Sequence, residues 1–156
     1  YRHEKGFDIL INNWPQNQKY KLVISTPLPV NLKKKVKNSL NIIHDEKLTS
    51  SEEFRNLIAN CQAAILPYKN GTNSGILETL IVNSKKCIVS KIPIFQDHKF
   101  NNFFYKSDFT YKNLEVILEK TFHLPEVNYY KNYNLHYNKV LNKYIDFLNQ
   151  INLLIL

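Results

Sequence analysis

Short apolar runs alternate along this chain with stretches of helical periodicity, and this alternation constrains the fold more than any other feature. The four runs are rich in Ile and Val and have the length of a strand, at residues 20–26, 41–44, 63–67 and 87–90. Their apolarity is nearly continuous, as a parallel strand covered on both faces requires. Apolar residues at helical spacing predict helices over 7–13, 31–40, 49–60, 74–82 and 111–122.

Strands that alternate with helices of this length predict an α/β fold, with an open, mainly parallel sheet and helices on both faces. The chain has 156 residues, enough for one domain with its own core, which we place over residues 1–122. Ligands of such sheets bind beyond the carboxyl ends of the strands.

The segment 123–156 has a different character. From Tyr129 to Ile151, tyrosine and aliphatic residues recur every three or four positions, which predicts a long amphipathic helix. We expect this helical extension to pack on the domain or on a further domain, and a helix lying on a membrane surface is the alternative.

The number of glycines and the spacing of the cysteines and histidines exclude several kinds of site. Three glycines cannot supply a GxGxxG or GxxxxGK[ST] motif, so neither classical dinucleotide binding nor a P-loop is expected. Cys61 and Cys87 lack CxxC spacing and are expected to be buried. The five histidines show no metal-ligand or triad spacing. Asp97-His98 follows the fourth strand and either approaches the ligand-binding edge or caps a loop.

The charge balance favours an anionic partner. There are 21 Lys and Arg residues against 13 Asp and Glu, a net charge of +8. Nucleic acid, an anionic membrane surface and a phosphorylated ligand all fit this charge. No apolar run is long enough to cross a bilayer and no signal-peptide pattern opens the chain, so a cytoplasmic location is the expectation.

The segment that carries chemistry is LPYKNGTNSGILETL, at 66–80, which joins the third strand to the fourth helix. Gly71 allows a tight turn, and Ser74-Gly75 leave backbone N–H groups accessible at the helix start, where an anion is stabilised. The hydroxyls of Thr72 and Ser74 add donors. Glu78, one turn further on, is placed to accept hydrogen bonds from a sugar. The alternative is that these polar residues only cap the helix and Glu78 is solvated.

Several segments, taken in order, resemble the C-terminal, nucleotide-sugar-binding domain of GT-B glycosyltransferases, in particular glycosyltransferase family 4, over residues 2–122. Lys5-Gly6-Phe7-Asp8 resembles the family's "KGfd" opening, and YKLVIST resembles its strand "ykLviiG". LTSSEEFRNLIANCQAAILPYK is similar to "ls-eel-ly-caD-ailPY". GTNSGILETL, followed by CIVS and IPIF, resembles "qSGvlleA … gkPVIas … p-f-e". The resemblance implies a Rossmann-like sheet, the C-terminal half of a GT-B fold, with a first strand just before Tyr1.

The resemblance also implies roles for individual residues. Lys5, with Arg2, would be catalytic, facing the diphosphate and neutralising the leaving group. Backbone N–H groups at the start of the fourth helix would bind the diphosphate, Glu78 the ribose, and the loop around Leu48-Thr49 would lie near the base. The implied nucleotide-sugar-binding residues are Leu48, Thr49, Asn70, Thr72, Ser74, Gly75, Ile76 and Glu78.

The function so implied is transfer of a sugar from a nucleoside diphosphate sugar, by family habit a UDP-sugar, to a polysaccharide or glycolipid. The group needs no metal, and the sequence has no DxD motif. The expected partners are the donor, an acceptor-binding N-terminal domain and an anionic surface at the inner face of a membrane. Without the acceptor domain, the chain is expected to bind a donor and transfer nothing.

Two departures and two rival functions accompany this resemblance. Asn70 stands where the family's EX7E motif has its first Glu, and Thr26-Pro27 replaces the glycine after the second strand. A non-catalytic relative of the fold is therefore one alternative. A basic nucleic-acid-binding module is the other, suggested by the lysines of residues 33–37 and the tyrosines of 129–133. The lysines also suit the solvated face of a helix, so a nucleic-acid partner is not expected.

Overall fold

The computed structural model describes residues 2–17, 19–46, 50–71, 75–98, 104–123 and 142–143. Its five strands are β1 (Leu22–Ser25), β2 (Ile42–Asp45), β3 (Ala63–Leu66), β4 (Lys86–Ser90) and β5 (Tyr105–Ser107). Its helices are α1 (Phe7–Asn13), α2 (Val30–Lys37), α3 (Ser51–Asn60), α4 (Gly75–Val82), α5 (Pro93–Gln96) and α6 (Tyr111–His123), preceded by a 3-10 turn at His3–Lys5.

The strands are parallel but form two sheets. β1 pairs with β2, with Leu22 opposite Ile42. β4 lies between β3 and β5, with Ile88 opposite both Ile65 and Tyr105. The single open sheet expected from the sequence is therefore divided, because β1 and β3 do not pair with each other.

Two apolar clusters join the helices to the strands, one on each face of β3 and β4. One apolar cluster joins α1, α2 and α6 to residues of both sheets, including Leu22 of β1 and Ile88 of β4. The two sheets therefore share one core. A second cluster joins α3, α4 and α5 to Cys87 and Val89 of β4. The predicted α/β class with parallel strands is confirmed. Burial on both faces, expected of all four predicted strands, does not extend to β1 and β2, where Val23 and Ile43 are about half exposed.

Local sequence explains most element boundaries. α2 begins at Val30 because Pro29 precedes it in an extended conformation, and it ends at Lys37, three residues short of the prediction. α3 begins after Ser50, whose hydroxyl accepts from the Glu53 N–H while the Glu53 carboxylate accepts from the Ser50 N–H. α5 and β5 were not predicted. β5 has the sequence YKS and forms through its pairing with β4.

Three further observations bear on the predictions. Cys87 is buried as expected, whereas Cys61 is only partly buried because it caps the end of α3. Among the helices of the described residues, none has the length and hydropathy needed to cross a bilayer. The helix predicted over 123–156 lies outside the described residues, apart from His123 and positions 142–143.

Candidate functional site

The segment that carries Lys5 is fixed against the carboxyl end of β3. Gly6 has φ of +69°, and a Cβ at this position would overlap the carbonyl oxygen of Pro67. Next to it, the Lys69 N–H donates to the Glu4 carbonyl over 2.8 Å. Only glycine permits the chain to pass this close to the Pro67 carbonyl. The close packing brings Lys5 to the edge of the sheet where ligands of parallel sheets bind.

The side chain of Lys5 is held over an aromatic ring. Its Nζ lies 3.7 Å from the centroid of the Tyr68 ring, a cation–π distance. Tyr68 is buried, its ring packs 5.6 Å from that of Phe95, and its carbonyl accepts from the Ser90 hydroxyl. Because Phe95 and Ser90 hold Tyr68 in place, the Lys5 ammonium has a defined position beyond the end of β3.

An ion-pair cluster clamps the same segment to the loop after β3. Lys69 Nζ lies 2.7 Å from both Asp8 Oδ2 and His3 Nε2. Burial raises the pKa of the Asp8 carboxyl, but the hydrogen bond and charge of Lys69 and backbone donors at Asp8 and Ile9 outweigh it and hold that pKa below its ordinary value. Asp8 is thus a carboxylate at neutral pH, and Lys69 is engaged in the clamp.

Glu78 has a histidine partner. His98 Nε2 lies 3.1 Å from Glu78 Oε1, and the His98 ring packs 5.4 Å from that of Phe104. The His98 side chain is 14% exposed and that of Glu78 is 43% exposed. His98 therefore lies beside Glu78, and Glu78 is not simply solvated.

The structure brings together some of the residues predicted to be catalytic or to bind the nucleotide sugar. Arg2, Lys5 and Ile76 line one cavity, which also reaches Thr26 and Pro27. Arg2 forms an exposed ion pair with Glu4, Nε to Oε1 3.6 Å.

The remaining predicted residues divide into two groups. Asn70 and Gly75 are exposed, and among the described residues no atom lies within 4 Å of the place a Cβ on Gly75 would take. Gly71 does not adopt a left-handed conformation, so the glycine that the backbone requires is Gly6 and not Gly71. The other four lie outside the described residues: Leu48, Thr49, Thr72 and Ser74.

Sequence reasoning missed the parts played by Tyr68 and Lys69, and it left the role of His98 open. The "PYK" of residues 67–69 was recognised as part of a resembling segment, but without a function. Nothing local marks these residues, since their partners lie 20 to 66 positions away in the chain.

Within the described ranges, no group of three His, Cys, Asp or Glu side chains is arranged to hold a metal ion. No protein-family model matches this chain, and a search of curated proteins gives no significant match. The case for a function therefore depends on the geometry of the site and on the resemblance of its segments.

Proposed function

We propose that this chain is the donor-binding domain of a GT-B glycosyltransferase and binds a nucleoside diphosphate sugar beyond the carboxyl end of β3. The observation that carries the proposal is the Lys5 ammonium, held 3.7 Å from the Tyr68 ring centroid at that edge. A lysine so positioned supplies positive charge where parallel α/β sheets bind their ligands.

The chemistry of glycosyl transfer suits these residues. Departure of a nucleoside diphosphate builds negative charge, which fixed cations and backbone N–H groups stabilise. Lys5 and Arg2 line the same cavity. The start of α4 at Gly75 is exposed and adds the positive end of a helix dipole. Lys5 and Arg2 would then neutralise the leaving group, as a metal ion does in metal-dependent glycosyltransferases.

Glu78 would bind the ribose of the donor. It lies one turn into α4 and is nearly half exposed, so its carboxylate can accept hydrogen bonds from hydroxyl groups. A hydrogen bond from His98 Nε2 to Oε1 orients that carboxylate. Transfer to a polysaccharide or glycolipid acceptor would require the acceptor-binding domain, since a GT-B active site lies between two domains.

The first experiment titrates the chain with UDP, GDP, ADP and CMP. Binding is measured by calorimetry and by thermal shift, at low and at high salt. A ligand at a hundred times its Kd should stabilise the fold by about 2.7 kcal/mol. We expect one nucleoside diphosphate, UDP by the resemblance, to bind with a shallow dependence on salt. Lys5→Met keeps the alkyl stem on Tyr68 but removes the charge, and should weaken binding about tenfold or more.

Matched controls make the titration specific. Lys37→Met removes an exposed lysine from α2, and Glu52→Gln neutralises an exposed carboxylate on α3. Both should bind as the unchanged chain does, whereas Glu78→Gln should bind less tightly. Failure of all four nucleotides would contradict the proposal. Binding of an oligonucleotide with a steep salt dependence would favour the nucleic-acid alternative instead.

A further inference from the structure

Another cavity, of about 280 Å³, lies where α1 and α2 end, and we call it the α1–α2 cavity. Asn12 belongs to the last turn of α1, Lys35 belongs to the last turn of α2, and Asn38 follows the end of α2. Ile42, the first residue of β2, places the cavity at the amino end of the strands. It is therefore separate from the donor site, which we place at their carboxyl ends.

The α1–α2 cavity combines a small apolar surface with polar groups. Two buried side chains, Ile11 and Ile42, line it from the core. No acidic residue is among the described residues that line it. The polar lining consists of three carboxamides, a hydroxyl and one ammonium, which belong to Asn12, Gln16, Asn38, Ser39 and Lys35.

Contacts within the chain fix the orientation of two of these carboxamides. Lys35 Nζ donates to Asn12 Oδ1 over 2.6 Å, which leaves the NH₂ group of Asn12 as a donor. Gln16 Nε2 donates to the Trp14 carbonyl over 3.0 Å, which leaves Gln16 Oε1 as an acceptor. A ligand therefore meets groups that are already oriented, which lowers the entropic cost of binding.

Buried Asn41 determines where the hydroxyl hydrogen of Ser39 goes. Asn41 Nδ2 donates to the Pro15 carbonyl over 2.7 Å, so Asn41 Oδ1 is an acceptor. The Ser39 hydroxyl lies 3.0 Å from that oxygen and 3.4 Å from Gln16 Oε1, and it has a single hydrogen to donate. Because the shorter contact takes the hydrogen, Gln16 Oε1 is available to a ligand.

The lining disfavours a charged ligand. A cation would lie beside the Lys35 ammonium. An anion would lie at the carboxyl-terminal ends of two helices, which carry partial negative charge, and would find one lysine that is already bonded to Asn12. A neutral hydroxyl group both donates and accepts, and so it matches a lining of carboxamides and a hydroxyl.

We propose that the α1–α2 cavity binds one unit of a neutral saccharide. Its hydroxyl groups would bond to Asn12, Gln16 and Lys35, and its C–H groups would pack on Ile11 and Ile42. The cavity has the volume of about nine water molecules, at about 30 Å³ each, which is room for one pyranose ring and a few bound waters. The assignment depends on this lining alone and does not require the proposed donor site.

The test titrates the ¹⁵N-labelled chain with the methyl glycosides of glucose, galactose, mannose and N-acetylglucosamine. The side-chain NH₂ groups of Asn12, Gln16 and Asn38 each give their own NMR signals, which report directly on the cavity. We expect at least one glycoside to shift these signals in a saturable manner.

Asn12→Asp is the decisive variant, because it keeps the shape of the side chain but replaces the NH₂ donor by a carboxylate that pairs with Lys35. It should weaken saccharide binding at least about tenfold. The urea midpoint should stay the same or rise slightly, since an ion pair replaces a hydrogen bond. Asn31→Asp makes the same chemical change at an exposed position of α2 outside the cavity, and it should bind as the unchanged chain does.

Three outcomes would overturn the proposal. If none of the four glycosides shifts the NH₂ signals, the cavity is not a saccharide site. Inorganic phosphate that shifts them at lower concentration than the glycosides would show an anion site instead. Equal saccharide binding by Asn12→Asp and by the unchanged chain would place the ligand elsewhere.

A parallel titration with UDP keeps this test separate from that of the proposed function. Asn12 lies near the end of α1, whereas Lys5 precedes that helix, so Asn12→Asp should leave UDP binding unchanged. Saccharide binding in a chain that binds no nucleotide would still support the proposed cavity. Loss of both ligands in Asn12→Asp would show a general disturbance of the fold and would contradict a specific role of this side chain.

Discussion

At the scale of single residues, Gly6 determines whether Lys5 reaches the end of β3. Its φ is +69°, and the space that a Cβ would occupy is taken by the Pro67 carbonyl. A main-chain atom cannot move aside as the end of a flexible side chain can. The close approach of the two segments therefore depends on the absence of a side chain at this one position.

Gly6→Ala should lower the free energy of unfolding by about 2–4 kcal/mol, because it combines an unfavourable backbone conformation with a clash against backbone. Urea unfolding monitored by Trp14 fluorescence measures this change. Gly75→Ala is the matched control, since a Cβ there meets no atom of the described part of the chain within 4 Å. It should be neutral or stabilise α4 by up to about 1 kcal/mol. Equal losses in the two variants would contradict the packing of Gly6 on Pro67.

At the scale of elements, the start of the chain and the loop after β3 are held together by the Lys69 clamp. Lys69 joins Asp8 at the start of α1 to His3 in the 3-10 turn, and its own N–H donates to the Glu4 carbonyl. Both side chains of the ion pair are about one quarter exposed, so solvent weakens their attraction. The clamp still couples two elements that are distant in sequence.

This clamp should make part of the stability depend on acid pH. The pKa of Asp8 is lower in the folded chain than its ordinary value of about 3.9. Its contribution is therefore complete above about pH 5 and is lost as the pH falls through the folded-state pKa. Asp8→Asn should lower the free energy of unfolding at pH 7 by about 1 kcal/mol. It should also make that free energy decrease less steeply as the pH falls below 4.

Thermal unfolding between pH 7 and pH 2 checks the prediction for Asp8. Lys69→Met is the partner variant, and it should flatten the same part of the profile because it removes the charge that lowers the pKa of Asp8. Profiles that keep the full slope below pH 4 in both variants would show that other carboxyl groups produce the acid dependence.

At the scale of the whole molecule, the two sheets share one apolar cluster but do not pair in the described residues. β4 lies at the centre of its sheet, and Cys87 within it is fully buried. Burial raises the pKa of the Cys87 thiol to about 12, with a smaller effect from Cys61. Cys87 can therefore react as a thiolate only when the core opens.

Thiol labelling should distinguish the two cysteines. In a Cys61→Ser variant, Cys87 should react at least about a hundredfold more slowly than Cys61 reacts in a Cys87→Ser variant at pH 8. Urea should accelerate labelling of Cys87 in parallel with global unfolding. Rapid labelling of Cys87 in the absence of urea would show that β4 opens locally, and would contradict a continuous core around it.

The amino-acid sequence by itself determined where most strands and helices lie. The apolar runs at 20–26, 41–44, 63–67 and 87–90 each coincide with an observed strand to within two residues at either end. The five predicted helices match α1, α2, α3, α4 and α6 to within three residues. These features depend on neighbouring residues, because periodicity decides which face of an element is apolar. Ser50 capped α3 as its position before Glu53 predicts.

Only the tertiary structure decided which elements meet and which side chains gain partners. β5 exists because β4 pairs with it, and β1 and β3 border one cavity only because the packing of the helices brings the two sheets together. The contacts of Lys5 with Tyr68 and of Glu78 with His98 join residues far apart in the chain. Local periodicity carries no information about such partners, because they are set by how the helices and strands pack together.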